Sequence, residues 1–275
     1  MRWSRACAVI NKERPQMAYI EVNGARLFYE TFGQESPGKG PIVLLHGSTG
    51  TGRSNWSQVA PQLAREYPVI VPDCRGHGRS SNPNHTYSFK EMANDTAALI
   101  RSLGYECAHV IGHSNGGNLA LVVLVEHPEV VQTAVIQAAN AWVSPDLIQR
   151  QPGLFDPDRV AIESPGWMHE MIELHSETHG PDYWRELLLL TVNELISEPN
   201  YTPEDLAKVH RPTLVIQGEK DGVNAPYEHA QFIARYVPDA ELWIPEGIAH
   251  RVHFEIPVIW IEKVLDFLRR RGDGQ

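Results

Sequence analysis

Short apolar runs bounded by turn residues recur along this chain. In two of them, Ile42–Leu45 and Val69–Val71, every residue is apolar. A strand has this composition when both of its faces are buried, as in a parallel sheet covered by helices. The pattern predicts six further strands, at Tyr19–Val22, Arg26–Phe32, His109–Gly112, Ala134–Ala138, Thr213–Gln217 and Glu241–Ile244.

Segments with apolar residues at helical spacing separate these strands. The clearest begins after Ser88, which forms a capping box with Glu91, and ends at Gly104. Other helices are predicted near Asn55–Glu66, Asn115–His127, Tyr227–Tyr236 and Pro257–Arg270. This alternation predicts an α/β fold, in which a mostly parallel eight-stranded sheet carries helices on both faces.

The alternation stops between residues 140 and 210. That stretch has two helical patterns, Gly166–Ser176 and Pro181–Ser197, and no clear strand. We expect it to form a helical lid over the carboxyl edge of the sheet, where open α/β sheets bind ligands. The predicted organisation is an N-terminal extension at 1–17, a core at 18–139 and 211–275, and a lid at 140–210.

The predicted lid is rich in large apolar side chains. They either line an apolar substrate pocket or form the lid's own core, and the sequence favours neither interpretation. The candidates for the pocket are Trp142, Trp167, Met168 and Met171.

Composition restricts the function classes. The 275 residues include 24 basic and 34 acidic side chains, a net charge of −10 that disfavours binding to nucleic acid. Cys7, Cys74 and Cys107 are too few and too scattered for a disulfide framework or a zinc pattern. No apolar run is long enough to span a bilayer, and Ala6–Ile10 is too short for a secretory signal. We therefore expect a cytoplasmic protein with no membrane partner.

The segment Gly112–Gly117 contains a Gly-x-Ser-x-Gly motif between a predicted strand and a predicted helix. A sharp strand-to-helix turn holds its serine, Ser114, in a strained conformation, and glycines at 112 and 116 leave room for that turn. The sequence therefore predicts that Ser114 is a nucleophile.

A nucleophilic serine needs a base and an acid that orients the base. Asp221 and His250 each follow a predicted strand, and so should lie at the same sheet edge as Ser114. Glu219 is an alternative acid and His253 an alternative base. The chain order Ser, Asp, His fits this fold and favours Asp221 and His250.

Backbone amides near Ser114 are candidates for an oxyanion hole. The amide of Asn115 lies at the start of a helix, directly after the nucleophile. The second candidate is the amide of Ser48, which follows His46-Gly47 at the end of a buried strand.

These elements together resemble the serine esterase branch of the α/β-hydrolase family, over about residues 18–270. The matching segments are His46-Gly47, Asp73–Ser80, Gly112–Gly117, Asp221 and His250. The resemblance implies a nucleophile, an acid, a base, an oxyanion hole and an inserted lid at the positions already named. Gly218–Pro226 and Pro245–His250 are also similar to small amino-acid-ester hydrolases of the valacyclovir-hydrolase kind.

We therefore predict a serine esterase that acts on small-molecule esters and needs no cofactor. Alternatives that use the same triad are lactone opening, carbon–carbon bond hydrolysis and cofactor-free perhydrolysis; a ligand-binding receptor with little turnover is a further alternative. No metal site is expected, because Ser176 follows His175 where the zinc-protease pattern, completed here by His179, needs glutamate.

Overall fold

One eight-stranded sheet forms the centre of the computed structural model, which describes residues 15–34, 38–225 and 228–272. The strand order is β1-β2-β4-β3-β5-β6-β7-β8. The pairs β1–β2 and β2–β4 are antiparallel, and all other pairs are parallel. The strands are β1 Gln16–Val22, β2 Ala25–Phe32, β3 Ile42–Leu45, β4 Val69–Pro72, β5 Ala108–His113, β6 Val131–Gln137, β7 Thr213–Ile216 and β8 Ala240–Trp243. The predicted fold class is confirmed.

The first strand begins earlier than the sequence pattern suggested. Gln16 pairs with Thr31 and Met17 with Glu30, so both residues belong to the sheet. The sequence pattern places Gln16 and Met17 in an extension, because the exposed edge strand carries few apolar side chains at its start. Residues 1–14 of the expected extension lie outside the described residues.

Helices cover both faces of the sheet: α1 Gly52–Trp56, α2 Ala60–Leu63, α3 Phe89–Ser102, α4 Asn115–Glu126, α10 Ala230–Tyr236, α11 Val252–Glu255 and α12 Pro257–Arg271.

The single helix predicted near Asn55–Glu66 is wrong, because α1 and α2 are two separate helices in this region. Thr51 caps α1 well before Asn55, and a separate helix begins at Ala60, with Pro61 in its first turn, where the missing amide hydrogen of proline is tolerated.

The insertion between β6 and β7 contains five helices where two were predicted: α5 Pro145–Leu154, α6 Pro157–Glu163, α7 Pro165–His179, α8 Tyr183–Leu195 and α9 Pro203–Leu206. The three extra helices, α5, α6 and α9, each have a side-chain cap followed by proline at the first turn. The caps are Ser144, Asp156 and Thr202. Such starts are a recognised helix signal, but α6 and α9, with 7 and 4 residues, are too short to show a clear apolar period.

The core divides into two layers, one on each face of the sheet. Val43 and Leu45 pack on one face, whereas Ile42 and Leu44 pack on the other. This follows from the alternation of side chains along a strand, and it explains why β3 is apolar throughout. Within the described residues, no helix is both long enough and apolar enough to cross a membrane.

Candidate active site

Ser114 occupies the turn between β5 and α4. Its backbone angles are φ 56° and ψ −122°, a region that residues with a Cβ rarely adopt. The glycines on either side permit the turn. A Cβ on Gly112 would lie 1.8 Å from the carbonyl oxygen of Gly116, and one on Gly116 would lie 2.2 Å from that of Leu45.

The turn places Ser114 at the amino end of α4, a fully helical segment of 12 residues. The Ser114 amide donates to the Gln137 carbonyl at 2.9 Å, which ties the turn to β6. The first amides of α4 and the positive end of its dipole therefore lie beside the serine, where they favour negative charge.

Asp221 and His250 form a direct pair. His250 Nδ1 lies 2.8 Å from Asp221 Oδ2. The Asp221 side chain is fully buried, and the His250 side chain is 18% exposed. Since the carboxylate accepts at Nδ1, the hydrogen lies on that nitrogen and Nε2 keeps its lone pair. His250 and Ser114 line the same cavity.

Three further donors reach the Asp221 side chain, whose two oxygens can each accept more than one hydrogen bond. The amides of Val223 and Asn224 donate to Oδ1 at 2.8 and 3.1 Å, and Gln217 Nε2 donates to Oδ2 at 3.1 Å. Glu219, the alternative acid, instead accepts from the amide of Gly247 at 2.8 Å. Glu219 therefore links the two loops and Asp221 contacts the histidine.

Two neutral histidines pack near His250. The ring of His113 lies 5.0 Å from that of His250 and 4.6 Å from that of His253. Burial lowers the pKa of His253 to about 3 and holds the pKa of His113 well below its usual range. Because both stay neutral at pH 7, neither repels a positive charge on His250. His253, the alternative base, is bound to Gln137 at 2.8 Å and is almost fully buried.

The loop after β3 contains the second oxyanion candidate. Asn55 Oδ1 already accepts from the amide of Gly47 at 3.0 Å. Ser48, the next residue, is half-buried and lines the cavity, as does Asn115. The two residues proposed from sequence to supply oxyanion amides thus lie on the wall that contains Ser114.

Glu194 on α8 contacts the residue after the nucleophile. Asn115 Nδ2 donates to Glu194 Oε2 at 2.8 Å. Burial raises the pKa of Glu194 well above its usual range, which favours the protonated carboxyl. A helix of the insertion therefore contacts the nucleophile turn through a buried side-chain hydrogen bond.

The cavity in front of Ser114 has a volume of about 350 Å³ and lies between the sheet edge and the insertion. Of the four pocket candidates from sequence, Trp167 lines it. Trp142 packs instead against the ring of His229, 5.5 Å away. Met171 is fully buried in the core, and Met168 packs against that core half-buried. Of the two alternatives left open by the sequence, the structure therefore favours the lid's own core for these three side chains.

Other side chains of the insertion contribute to the wall. They are Asn140, Leu147, Gln151, Leu154, Phe155, Glu170 and Leu195. Gln151 is 3% exposed, and its Oε1 has no hydrogen-bond partner among the described residues. The wall is therefore mixed in polarity, not the apolar surface expected from the tryptophan and methionine residues.

No group of three or more potential metal ligands occurs in the described ranges. Both ring nitrogens of His175 are engaged by backbone groups, and the ring of His179 stacks on that of Tyr183 at 4.1 Å. The two histidines at helical spacing are thus used in packing and hydrogen bonding.

Several residues that build the site were not identified from the sequence. Asn55 holds Gly47, Glu194 holds Asn115, and Asp73 accepts from the amides of Gly52 and Arg79 at 2.9 and 3.0 Å. Asp73 directly follows a buried strand and begins the matching segment Asp73–Ser80, but neither signal assigned it a role. Asn55 and Glu194 lie within helices and resemble ordinary surface residues in the sequence.

The chain was compared with known proteins. A family profile described as alpha/beta hydrolase fold matches residues 40–184. The mouse serine hydrolase BPHL is 28% identical over 92% of this chain and 86% of its own length. The 2-hydroxy-6-oxo-6-(2'-aminophenyl)hexa-2,4-dienoic acid hydrolase of Metapseudomonas resinovorans is 29% identical over 95% of each chain. The solved structure of Est816, an N-acyl homoserine lactone degrading enzyme, has a TM-score of 0.70 and 27% identity over 91% of this chain and all of that one.

Proposed function

The chain belongs to the alpha/beta hydrolase fold family, and from this premise we propose that it is a serine hydrolase that cleaves carboxylic esters of small molecules. The observation that carries the proposal is the Asp221–His250 hydrogen bond beside the strained turn of Ser114, with serine and histidine on one cavity. An oriented base next to an accessible hydroxyl is what nucleophilic catalysis needs.

In the proposed first step, Ser114 Oγ attacks the ester carbonyl carbon and His250 Nε2 takes the hydroxyl proton. Asp221 accepts from Nδ1, which fixes the ring and stabilises the imidazolium. Because the rings of His113 and His253 are neutral, they do not repel the positive charge on His250.

The carbonyl oxygen becomes an oxyanion as the C–O bond to serine forms. We assign its stabilisation to the backbone amides of Ser48 and Asn115, aided by the dipole of α4. The imidazolium then gives its proton to the alkoxide as the ester bond breaks, and the alcohol leaves.

An acyl group is then bound to Ser114. Water attacks its carbonyl, His250 takes a proton from that water, and the same amides hold the second oxyanion. Breaking the acyl–serine bond returns the proton to Ser114 and releases the acid. Lactones are cyclic esters, so the same steps would open them.

The cavity supports a small substrate with hydrogen-bonding groups. A volume of about 350 Å³ is at the low end of ligand pockets. Gln151 Oε1, which has no hydrogen-bond partner in the described part of the chain, would accept from a hydroxyl or N–H group of the substrate, because an unpaired buried acceptor is costly.

A second candidate function is hydrolysis of a carbon–carbon bond beside a ketone. The relative from Metapseudomonas resinovorans favours it, since the substrate in its name carries keto and acid groups but no ester. Attack of the serine on the ketone would use the same base and oxyanion amides.

A substrate panel tests the proposal. Purified protein and its Ser114→Ala variant are assayed with p-nitrophenyl acetate, short alkyl esters, an N-acyl homoserine lactone and a 2-hydroxy-6-oxo-dienoate. We expect ester turnover that the variant lacks. Turnover of the dienoate alone would favour the second candidate, and equal turnover by the variant would contradict a role for Ser114.

A further inference from the structure

One helix of the insertion makes two hydrogen bonds to the loop beside the nucleophile. The helix is α7, and the residue that it contacts is Thr49, next to Ser48. Trp167 Nε1 donates to Thr49 Oγ1 at 3.1 Å, and His175 Nε2 lies 2.8 Å from the Thr49 carbonyl oxygen. These contacts join residues 118 and 126 positions apart in the chain.

The tautomer of His175 follows from its partners. Its Nδ1 lies 2.7 Å from the amide of Gly78, and an amide nitrogen can only donate. Nδ1 must therefore be the acceptor, and Nε2 carries the hydrogen that it donates to the Thr49 carbonyl. The ring is buried, and burial lowers its pKa to about 4, so this neutral tautomer persists at pH 7.

Thr49 needs such a restraint. Its φ is 53°, in the left-handed region that residues other than glycine seldom adopt. Loop residues held in this region persist only when their surroundings fix them. Both the carbonyl and the hydroxyl of Thr49 are held by α7, whereas the preceding part of the loop is held by Asn55 through Gly47.

We propose that His175 is a positioning residue for the oxyanion hole: by holding the Thr49 carbonyl, it keeps the Ser48 amide directed at the oxyanion. The insertion then has a role in the chemical step as well as in enclosing substrate. This inference rests on the proposed function, because it presumes that the Ser48 amide stabilises an oxyanion.

Two substitutions separate the two hydrogen bonds of His175. In His175→Gln, the terminal amide nitrogen takes the place of Nε2 and can still donate to Thr49. In His175→Asn, the shorter amide takes the place of Nδ1, so its oxygen can accept from Gly78 but its NH2 group does not reach Thr49. The two variants lose the same imidazole and keep opposite hydrogen bonds, one to Thr49 and the other to Gly78, so each is the control for the other.

The first measurement is steady-state kinetics on p-nitrophenyl acetate, alongside thermal unfolding. We expect kcat of His175→Asn to fall at least about tenfold with little change in KM, because loss of an oxyanion donor costs about 10²–10³ in kcat. His175→Gln should stay within about threefold of the original protein. Equal kcat losses in both variants, or no loss in either, would overturn the proposal.

The second measurement does not depend on turnover. Amide hydrogen exchange of the peptide containing residues 47–50 should be faster in His175→Asn than in His175→Gln and in the original protein. Equal exchange in all three would show that His175 does not hold the loop, and so would overturn the proposal. A protein without esterase activity would contradict the proposed function, whereas the exchange result would still decide the role of His175.

Discussion

Ser114 combines an unusual backbone conformation with a location at the start of a helix. The sequence predicted this turn because Gly112 and Gly116 are the residues that it requires, and because apolar strand and helix patterns flank it. The identity and spacing of adjacent residues carry such local information. The geometry at Ser114 could therefore be anticipated from the sequence alone.

The acid is assigned by a hydrogen bond, which allows a paired test. Asp221→Asn should lower kcat about 10⁴-fold, because loss of the orienting carboxylate leaves the histidine in the wrong tautomer. Glu219→Gln removes a carboxylate that contacts Gly247 and should cost less than about tenfold. The measurement is kcat on p-nitrophenyl acetate for both variants.

The reverse order of losses would reassign the acid to Glu219. Similar losses in both variants, accompanied by lower melting temperatures, would indicate that both residues mainly hold the loops together. The amide of Lys220 donates to the Ile248 carbonyl at 2.8 Å, so these two loops are in direct contact.

Contacts between residues that are far apart in the sequence could not be predicted from the sequence. Glu194 and Asn115 are 79 positions apart, and His175 and Thr49 are 126 apart. Asn115 lies in a recognisable motif, but Glu194 and Thr49 have an ordinary local context, and a single sequence carries no signal that joins the members of either pair. Their roles depend on how the insertion packs on the sheet edge, which only the folded chain shows.

At the scale of elements, all eight strands were predicted, most of them within about two residues of their ends. Runs such as Ile42–Leu45 are distinct because both faces of the strand are buried. The insertion was predicted less well, since α6 and α9 have only 7 and 4 residues. Two turns or fewer are too short to establish an apolar period.

The wall of the cavity can be tested with two tryptophans from the insertion. Trp167 lines the cavity, and Trp142 packs against His229 outside it. Trp167→Ala should change the ratio of kcat/KM between acetate and octanoate esters by about tenfold or more, since apolar walls discriminate by about 1–3 kcal/mol per methylene. Trp142→Ala should keep the original ratio.

Using a ratio removes any loss common to all substrates, including the effect of breaking the bond from Trp167 to Thr49. An unchanged ratio in Trp167→Ala would mean that its ring does not contact the acyl chain. A change of equal size in Trp142→Ala would indicate that the insertion responds as a whole.

At the scale of the whole molecule, buried histidines link stability to pH. Burial lowers the pKa of six of them: His46, His77, His113, His175, His229 and His253. In the unfolded chain each would bind a proton near pH 6.5. Below that pH the unfolded state therefore binds more protons than the folded state, and the free energy of unfolding falls.

We predict that the free energy of unfolding decreases steadily as the pH is lowered from about 6.5 to 4. Each such histidine contributes up to about 1.4 kcal/mol per pH unit. Three carboxyl groups with raised pKa, Asp73, Glu194 and Glu198, oppose the trend but are fewer. Urea unfolding at several pH values measures the slope; a stability that is constant or rises on acidification would contradict this assignment.

The central claim is that Ser114 is the nucleophile of a serine hydrolase. The most direct measurement is labelling with a fluorophosphonate, followed by mass spectrometry of the digested protein and by assay of residual p-nitrophenyl acetate turnover. We expect one adduct per chain, on the peptide that contains Ser114, with loss of turnover in proportion to labelling. An adduct on a different serine, or full turnover after complete labelling of Ser114, would contradict it.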